Sequence, residues 1–445
     1  MDLTTESRSI LRLALPLMIG QLSQMLLGVA DTVMVGRLGV TELATLTFAN
    51  ALFHIPFVFG IGVLTAISVF TSNARGANDP AAARASCRHG LMLAITLGIA
   101  LYAVAHLVSL HLHIFHQPAD VAARTPVFFR IIMLSGIPAL GSLALKNHAD
   151  ALNRPWPPFW IFLAGVALNI LLNWIMIFGK LGFPALGLEG AGWATLISRT
   201  IIFAAMILWL RTAGDLRDWV PHHWFIPPVL HDIRRLLTIG IPSSIQLLFE
   251  VSAFSAAGLL IGLVGSSAMA AHQIAITIAG TAFMLPLGLS QALTVRIGEA
   301  DGAAQPDRLR PIAVSGWLLV AAYAICCALF LVLCGGMIAA LFIQTPDVIA
   351  LTASLLTIVG IFQIADGLQV TSSAMLRGLH DARMPAVIGF ISYWIIGLPV
   401  GALLAFHFDL GARGIWWGLA IGLATACVTL GPRLWLRTSR ANPPA

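Results

Sequence analysis

Three acidic side chains stand inside long apolar stretches of this sequence, where an uncompensated charge is costly. They are Asp31, Glu250 and Asp366. Glu250 lies four residues after Gln246, and Asp366 lies three residues after Gln363, so each pair shares one face of a helix. Polar stripes on otherwise apolar helices favour a water-filled cavity over lipid. Carboxylates in such a cavity can bind a proton, a small cation or a positively charged solute.

Further polar and aromatic residues fall in comparable positions. Asn169 and Asn173 are four residues apart, and they either line the cavity or bond neighbouring helices. His272 is either structural or a proton relay, and each acidic residue could instead make a hydrogen bond between helices, Asp31 also as a surface cap. The candidate substrate cavity comprises Asn169, Asn173, Gln24, Gln246, Gln363, Phe362 and His272.

The apolar runs around Glu250 and Asp366 contain no obvious salt-bridge partner for either carboxylate. Neutralisation by a bound cation or a proton would then relieve the cost of removing these charges from water. We therefore predict that a proton or a metal ion neutralises Glu250 and Asp366.

The composition identifies the class of protein. Of the 445 residues, 58% are hydrophobic and only 10% are charged, too few charges for the surface of a soluble enzyme of this length. The chain is therefore an all-α integral membrane protein. Its net charge of +6 is best explained by Lys and Arg residues that set its orientation in the membrane, and not by a nucleic-acid-binding surface. No cofactor motif and no clustered catalytic motif is evident, so an enzyme is not expected.

Twelve stretches are long and apolar enough to cross a membrane. They lie at roughly 9–35, 43–71, 90–112, 126–150, 159–178, 190–210, 236–263, 269–295, 312–335, 348–375, 386–406 and 414–436. With the N-terminus in the cytoplasm, nineteen of the 25 Lys and Arg residues fall on the cytoplasmic side and five outside. Both termini are therefore predicted to be cytoplasmic, and the first span is predicted to be uncleaved.

The sequence also repeats itself. Shifting the chain by 226 residues superimposes backbone-shaping residues, including Pro16 on Pro242 and Gly62 on Gly288. This predicts an N-lobe (1–210), a cytoplasmic linker (211–235) and a C-lobe (236–445), as two pseudo-symmetric six-helix bundles around a central cavity. Parallel repeats of this kind are typical of transporters. A duplication kept only for stability is the alternative.

Several motifs together resemble the multidrug and toxic compound extrusion (MATE) transporters over essentially the whole chain. They are Ala-Asp31-Thr-Val-Met-Val-Gly, Leu-Asn169-Ile-Leu-Leu-Asn173-Trp, Ala-Ala-His272-Gln, and Asp366 followed by Leu376-Arg377-Gly378. The pair of Glu250 and Asp366 resembles the NorM-like branch of that family.

The resemblance implies efflux of organic cations and other amphipathic drugs from the bacterial inner membrane, driven by Na⁺ or H⁺ and without a cofactor. It implies that Glu250 and Asp366 form the cation site, that Asp31 takes part in coupling or drug binding, and that Asn169 and Asn173 line the N-lobe. Some Na⁺-coupled relatives have Tyr where this chain has Phe362, so H⁺ coupling stays open. We expect a monomer with membrane lipid and small-molecule drugs as its partners. A lipid or lipid-linked oligosaccharide flippase of the same superfamily is the alternative function; a membrane-embedded enzyme and a passive channel fit the residues less well.

Overall fold

The computed structural model describes residues 3–224 and 227–439, and within them twelve helices are long and apolar enough to cross a membrane. The helices are α1 (Leu3–Gly36), α2 (Val40–Gly76), α3 (Pro80–Ser109), α4 (Ala119–Ala151), α5 (Trp156–Phe178), α6 (Gly187–Thr212), α7 (Leu230–Gly262), α8 (Ser266–Gly302), α9 (Pro306–Phe342), α10 (Pro346–Gly378), α11 (Arg383–Phe406) and α12 (Gly411–Ser439). The predicted all-α membrane fold with twelve spans is confirmed. Many helices run beyond the predicted spans, because polar residues at their ends continue the backbone hydrogen bonding of the apolar segment.

The backbone repeats the symmetry seen in the sequence. The N-terminal caps of α2 and α8, Gly39 and Gly265, have φ values of 146° and 142°, a region that residues with a Cβ rarely adopt. The loops after these two helices contain Asn78 and Ala304, with φ values of 52° and 51°. Residues 226 positions apart therefore take the same unusual backbone conformation.

The chain folds into two compact units, whose boundaries lie within α1 and α7. The first unit is Leu22–Ser244, and the second joins the residues up to Gln21 to those from Ile245 onward. In the first unit α4 packs against α2, α3 and α6; in the second unit α10 packs against α8, α9 and α12. The predicted lobes have different boundaries, which fall between helices and follow the sequence repeat. They remain a prediction.

Close contacts at two glycines explain why the units begin and end inside helices. In the first unit, Gly62 on α2 lies against the backbone of Ser244 on α7. In the second unit, Gly288 on α8 lies against the backbone of Met18 on α1. The two contacts are related by the same 226-residue shift, so each unit contains the start of the other half's first helix.

Candidate functional site

The acidic pair of the second unit lies between α7 and α10. Glu250 is half-buried and Asp366 is only 4% exposed, and the two carboxylates are close enough to interact electrostatically. Oδ1 of Asp366 is buried and has no hydrogen-bond partner among the described residues. The structure therefore brings together the two side chains that the sequence predicts to share a cation.

A basic residue that the sequence analysis missed also belongs to this group. Arg377 occupies the last turn of α10, interacts electrostatically with Glu250, and donates from Nη1 to Oε1 of Gln246 at 3.3 Å. The expectation of no obvious salt-bridge partner concerned the two predicted spans, and Arg377 lies beyond the tenth of them, because α10 continues past residue 375 to Gly378. Within the described residues, no ion pair of 4.0 Å or less joins Arg377 to Glu250.

The other predicted residues of the second unit surround an aromatic cluster. Phe362 is buried with its ring 5.8 Å from that of Trp416, and His272 lies 5.7 Å from the same indole. Gln363 donates from Nε2 to the carbonyl of Ala279 on α8 at 2.9 Å. Phe362 is therefore packed inside the unit, and Gln363 fixes α10 against α8.

The first unit holds a separate polar cluster on α1, α5 and α6. Nδ2 of Asn173 lies 2.6 Å from Oδ1 of Asp31 and 3.0 Å from Oδ1 of Asn169, and donates to both. Asn169 in turn donates to Oγ1 of Thr195 at 3.4 Å. Of the two roles left open for the asparagine pair, hydrogen bonding between helices is therefore present. Gln24 is exposed on α1 and makes no hydrogen bond with this cluster among the described residues.

Arg199 of α6 is the basic neighbour of Asp31. It interacts electrostatically with that carboxylate and donates from Nη1 to Oγ of Ser135 at 2.7 Å. Its guanidinium lies over the rings of Phe53 and Phe57, 5.2 and 5.6 Å from their centroids, which is cation–π geometry. The first unit thus sets one carboxylate against one arginine, whereas the second sets two carboxylates against one.

No group of three or more His, Cys, Asp or Glu residues that could hold a metal ion occurs in the described part of the chain. The carboxylate oxygen atoms of Glu250 and Asp366 are hard ligands, which suit hard cations better than soft transition metals.

Comparisons with known proteins agree with the internal repeat. The model of the MatE family matches the chain twice, over residues 16–175 and 242–403, and the two matches begin 226 residues apart.

Relatives of known name cover nearly the whole chain. "Probable multidrug resistance protein NorM" of Mesorhizobium japonicum is 37% identical over 99% of this chain and 95% of its own. "Multidrug resistance protein NorM" of Burkholderia vietnamiensis is 36% identical over 96% of this chain and 93% of its own.

Solved structures share the fold. A MATE protein crystallised in a bent conformation superimposes with a TM-score of 0.90 at 21% identity, covering 99% of this chain and 98% of that one. A MATE protein in a straight conformation gives 0.89 at 22% identity, covering 98% and 96%.

Proposed function

Because this chain belongs to the MATE family, we propose that it is a secondary transporter that exports drugs, mainly organic cations and other amphipathic compounds, in exchange for Na⁺ or H⁺. The names of its relatives support multidrug efflux, and the charges of the second unit support the exchange of cations. We further propose that it acts as a monomer in the bacterial inner membrane, with both termini in the cytoplasm.

The observation that carries this proposal is the balance of charge around Glu250. When both carboxylates are ionised, they and Arg377 together carry one net negative charge in a largely buried place. One Na⁺, one proton or one monovalent organic cation brings this group to neutrality. Since burial makes an uncompensated charge costly, the state with one of these three cations bound is more stable than the empty site.

Competition for that charge is sufficient for exchange. When Na⁺ or H⁺ arrives from outside and neutralises Glu250 and Asp366, a bound organic cation loses its electrostatic partner and leaves. After the ion is released to the cytoplasm, the carboxylates attract the next drug molecule. A membrane potential of 100 mV contributes about 2.3 kcal/mol for each charge that crosses, equivalent to a concentration ratio of roughly 50.

The direct test is to remove each charge with an isosteric amide. Glu250→Gln and Asp366→Asn should each reduce gradient-driven drug transport in proteoliposomes to the level of empty vesicles, because the site loses the charge for which ion and drug compete. Asp409→Asn is the matched control: Asp409 is exposed in the loop before α12, and its loss should leave transport unchanged. Full transport by both site variants would refute the proposed exchange.

The driving ion is decided by imposing one gradient at a time. Transport under a Na⁺ gradient at equal pH on both sides would identify Na⁺ as the coupling ion; transport under a pH gradient in Na⁺-free buffer would identify H⁺. Transport under neither gradient, combined with flipping of labelled lipid, would favour the flippase.

A further inference from the structure

The helix beside the acidic pair departs from regular α-helical geometry. Between Ile391 and Gly397, α11 is π-helical, with backbone hydrogen bonds that span one more residue than in an α-helix. Pro399 follows two residues later and has no N–H to offer the preceding turn, which is a local reason for the wider turn. Segments of this kind are rare and occur frequently at functional sites.

The π-helical segment is attached directly to the backbone of α7 beside Glu250. The indole N–H of Trp394 donates to the carbonyl of Phe249 at 3.1 Å. On its other side the segment packs closely on α12, where Gly397 meets Gly418 and Gly422. The position of the segment relative to Glu250 is therefore fixed from both sides.

Tyr393 is the buried residue that this geometry presents to the carboxylates. Its side chain is 0% exposed, its ring lies 6.3 Å from that of Phe254, and it interacts electrostatically with both Glu250 and Asp366. Its hydroxyl is buried and has no hydrogen-bond partner among the described residues. An unsatisfied buried hydroxyl costs about 1–3 kcal/mol, and buried tyrosines normally find a partner for this group.

The hydroxyl of Tyr393 and Oδ1 of Asp366 are both buried without a hydrogen-bond partner among the described residues, and the two side chains interact electrostatically. A bound cation would satisfy both at once, because each atom has lone pairs free for a positive ion. The phenol oxygen is neutral, so it adds a ligand without changing the single net negative charge of the site.

We propose that Tyr393 is the third side chain of the cation site, and that its hydroxyl oxygen coordinates Na⁺ together with the carboxylates of Glu250 and Asp366. The inference rests on the proposed ion-coupled function and makes it more specific, since it assigns the ion and a ligand from α11. Trp394 is a positioning residue: it holds the segment against α7 and does not touch the ion.

The test is Tyr393→Phe, which removes only the hydroxyl. Binding of ²²Na⁺ to the purified full-length protein should weaken by roughly tenfold, equivalent to about 1.4 kcal/mol. Tyr102→Phe is the matched control, because Tyr102 lies on α3 in the first unit, and its affinity for Na⁺ should equal that of the wild type. Glu250→Gln should abolish binding.

Thermal unfolding separates a ligand from a structural role. In Na⁺-free buffer, Tyr393→Phe should unfold at the wild-type temperature or higher, since it removes an unsatisfied hydroxyl. The increase in Tm that Na⁺ produces in the wild type should shrink in this variant. A lower Tm without Na⁺ and an unchanged response to Na⁺ would show a purely structural role and overturn the inference.

A measurement on the unaltered residue covers the case in which Tyr393→Phe does not fold. The chain has only three tyrosines, so infrared difference spectra with ring-labelled tyrosine should show a Na⁺-induced change that persists in both Tyr102→Phe and Tyr323→Phe. No tyrosine signal, or no Na⁺ binding by the wild type, would overturn the inference. Drug transport driven by a pH gradient would in that case leave the proposed efflux function standing.

Discussion

At the scale of single residues, each unit sets an acidic group beside an arginine, but with a different balance of charge. Asp31 has Arg199 as its neighbour, and the pair is formally neutral. Glu250 interacts with both Asp366 and Arg377, and these three side chains carry a charge of minus one when both carboxylates are ionised. The proposed exchange uses the second of these balances, since a negative charge remains there for a cation to neutralise. Asp31 accepts a hydrogen bond from Asn173.

Removing the arginine should strengthen cation binding. In Arg377→Gln the carboxylates lose a nearby positive charge, and Na⁺ affinity measured at alkaline pH should rise roughly tenfold, about 1.4 kcal/mol. Transport should become slower, because the ion leaves a more negative site less readily. Arg383→Gln removes an exposed arginine at the start of α11 and serves as the control. Unchanged or weaker Na⁺ binding in Arg377→Gln would show that Arg377 does not act on the acidic pair.

At the scale of helices, close approach at glycine determines how α1 packs against α8 and how α7 packs against α2. A Cβ added at Gly288 would lie 2.6 Å from the backbone nitrogen of Met18, and one added at Gly62 would meet the backbone of Ser244 even more closely. Backbone atoms cannot rotate away as a flexible side chain can, so the helices would have to separate.

Alanine at either glycine should therefore destabilise the protein. We expect Gly62→Ala and Gly288→Ala each to lower stability by about 1–3 kcal/mol, the usual cost of overpacking, as a decrease in Tm of the purified protein. Gly280→Ala, also on α8, has nothing within 4 Å of the added Cβ and should be neutral or stabilising. A Gly288→Ala variant as stable as Gly280→Ala would contradict the close contact.

At the scale of the whole molecule, each compact unit needs residues from both halves of the sequence. The start of α1 belongs to the second unit, where the carboxylate of Glu6 is 1% exposed and pairs with Arg296 at 2.8 Å and Arg308 at 3.0 Å. Removing one side of a buried ion pair destabilises a protein by about 3–5 kcal/mol, whether the carboxylate or the arginines are left without a partner.

The two halves should therefore depend on each other for folding. We expect residues 226–445 expressed alone to be degraded or aggregated, and co-expression with residues 1–225 to restore a complex that purifies as one species. Glu6→Gln in the first fragment should reduce the yield of that complex, whereas Glu189→Gln, at the first turn of α6, should not. A stable, monodisperse second half on its own would contradict the exchange of the helix starts.

The sequence by itself determined the class, the twelve helices, the repeat and the identity of the acidic residues. Each of these is a local property: apolar length fixes a membrane helix, glycine and proline fix backbone shape, and a carboxylate in an apolar run is conspicuous because it is costly. The tertiary structure decided which residues meet. Arg377 lies 127 positions from Glu250 in the chain, and Tyr393 lies on a third helix; their proximity depends on how α7, α10 and α11 pack. The exchange of the starts of α1 and α7 likewise depends on backbone contacts across the repeat, which periodicity along one helix cannot express.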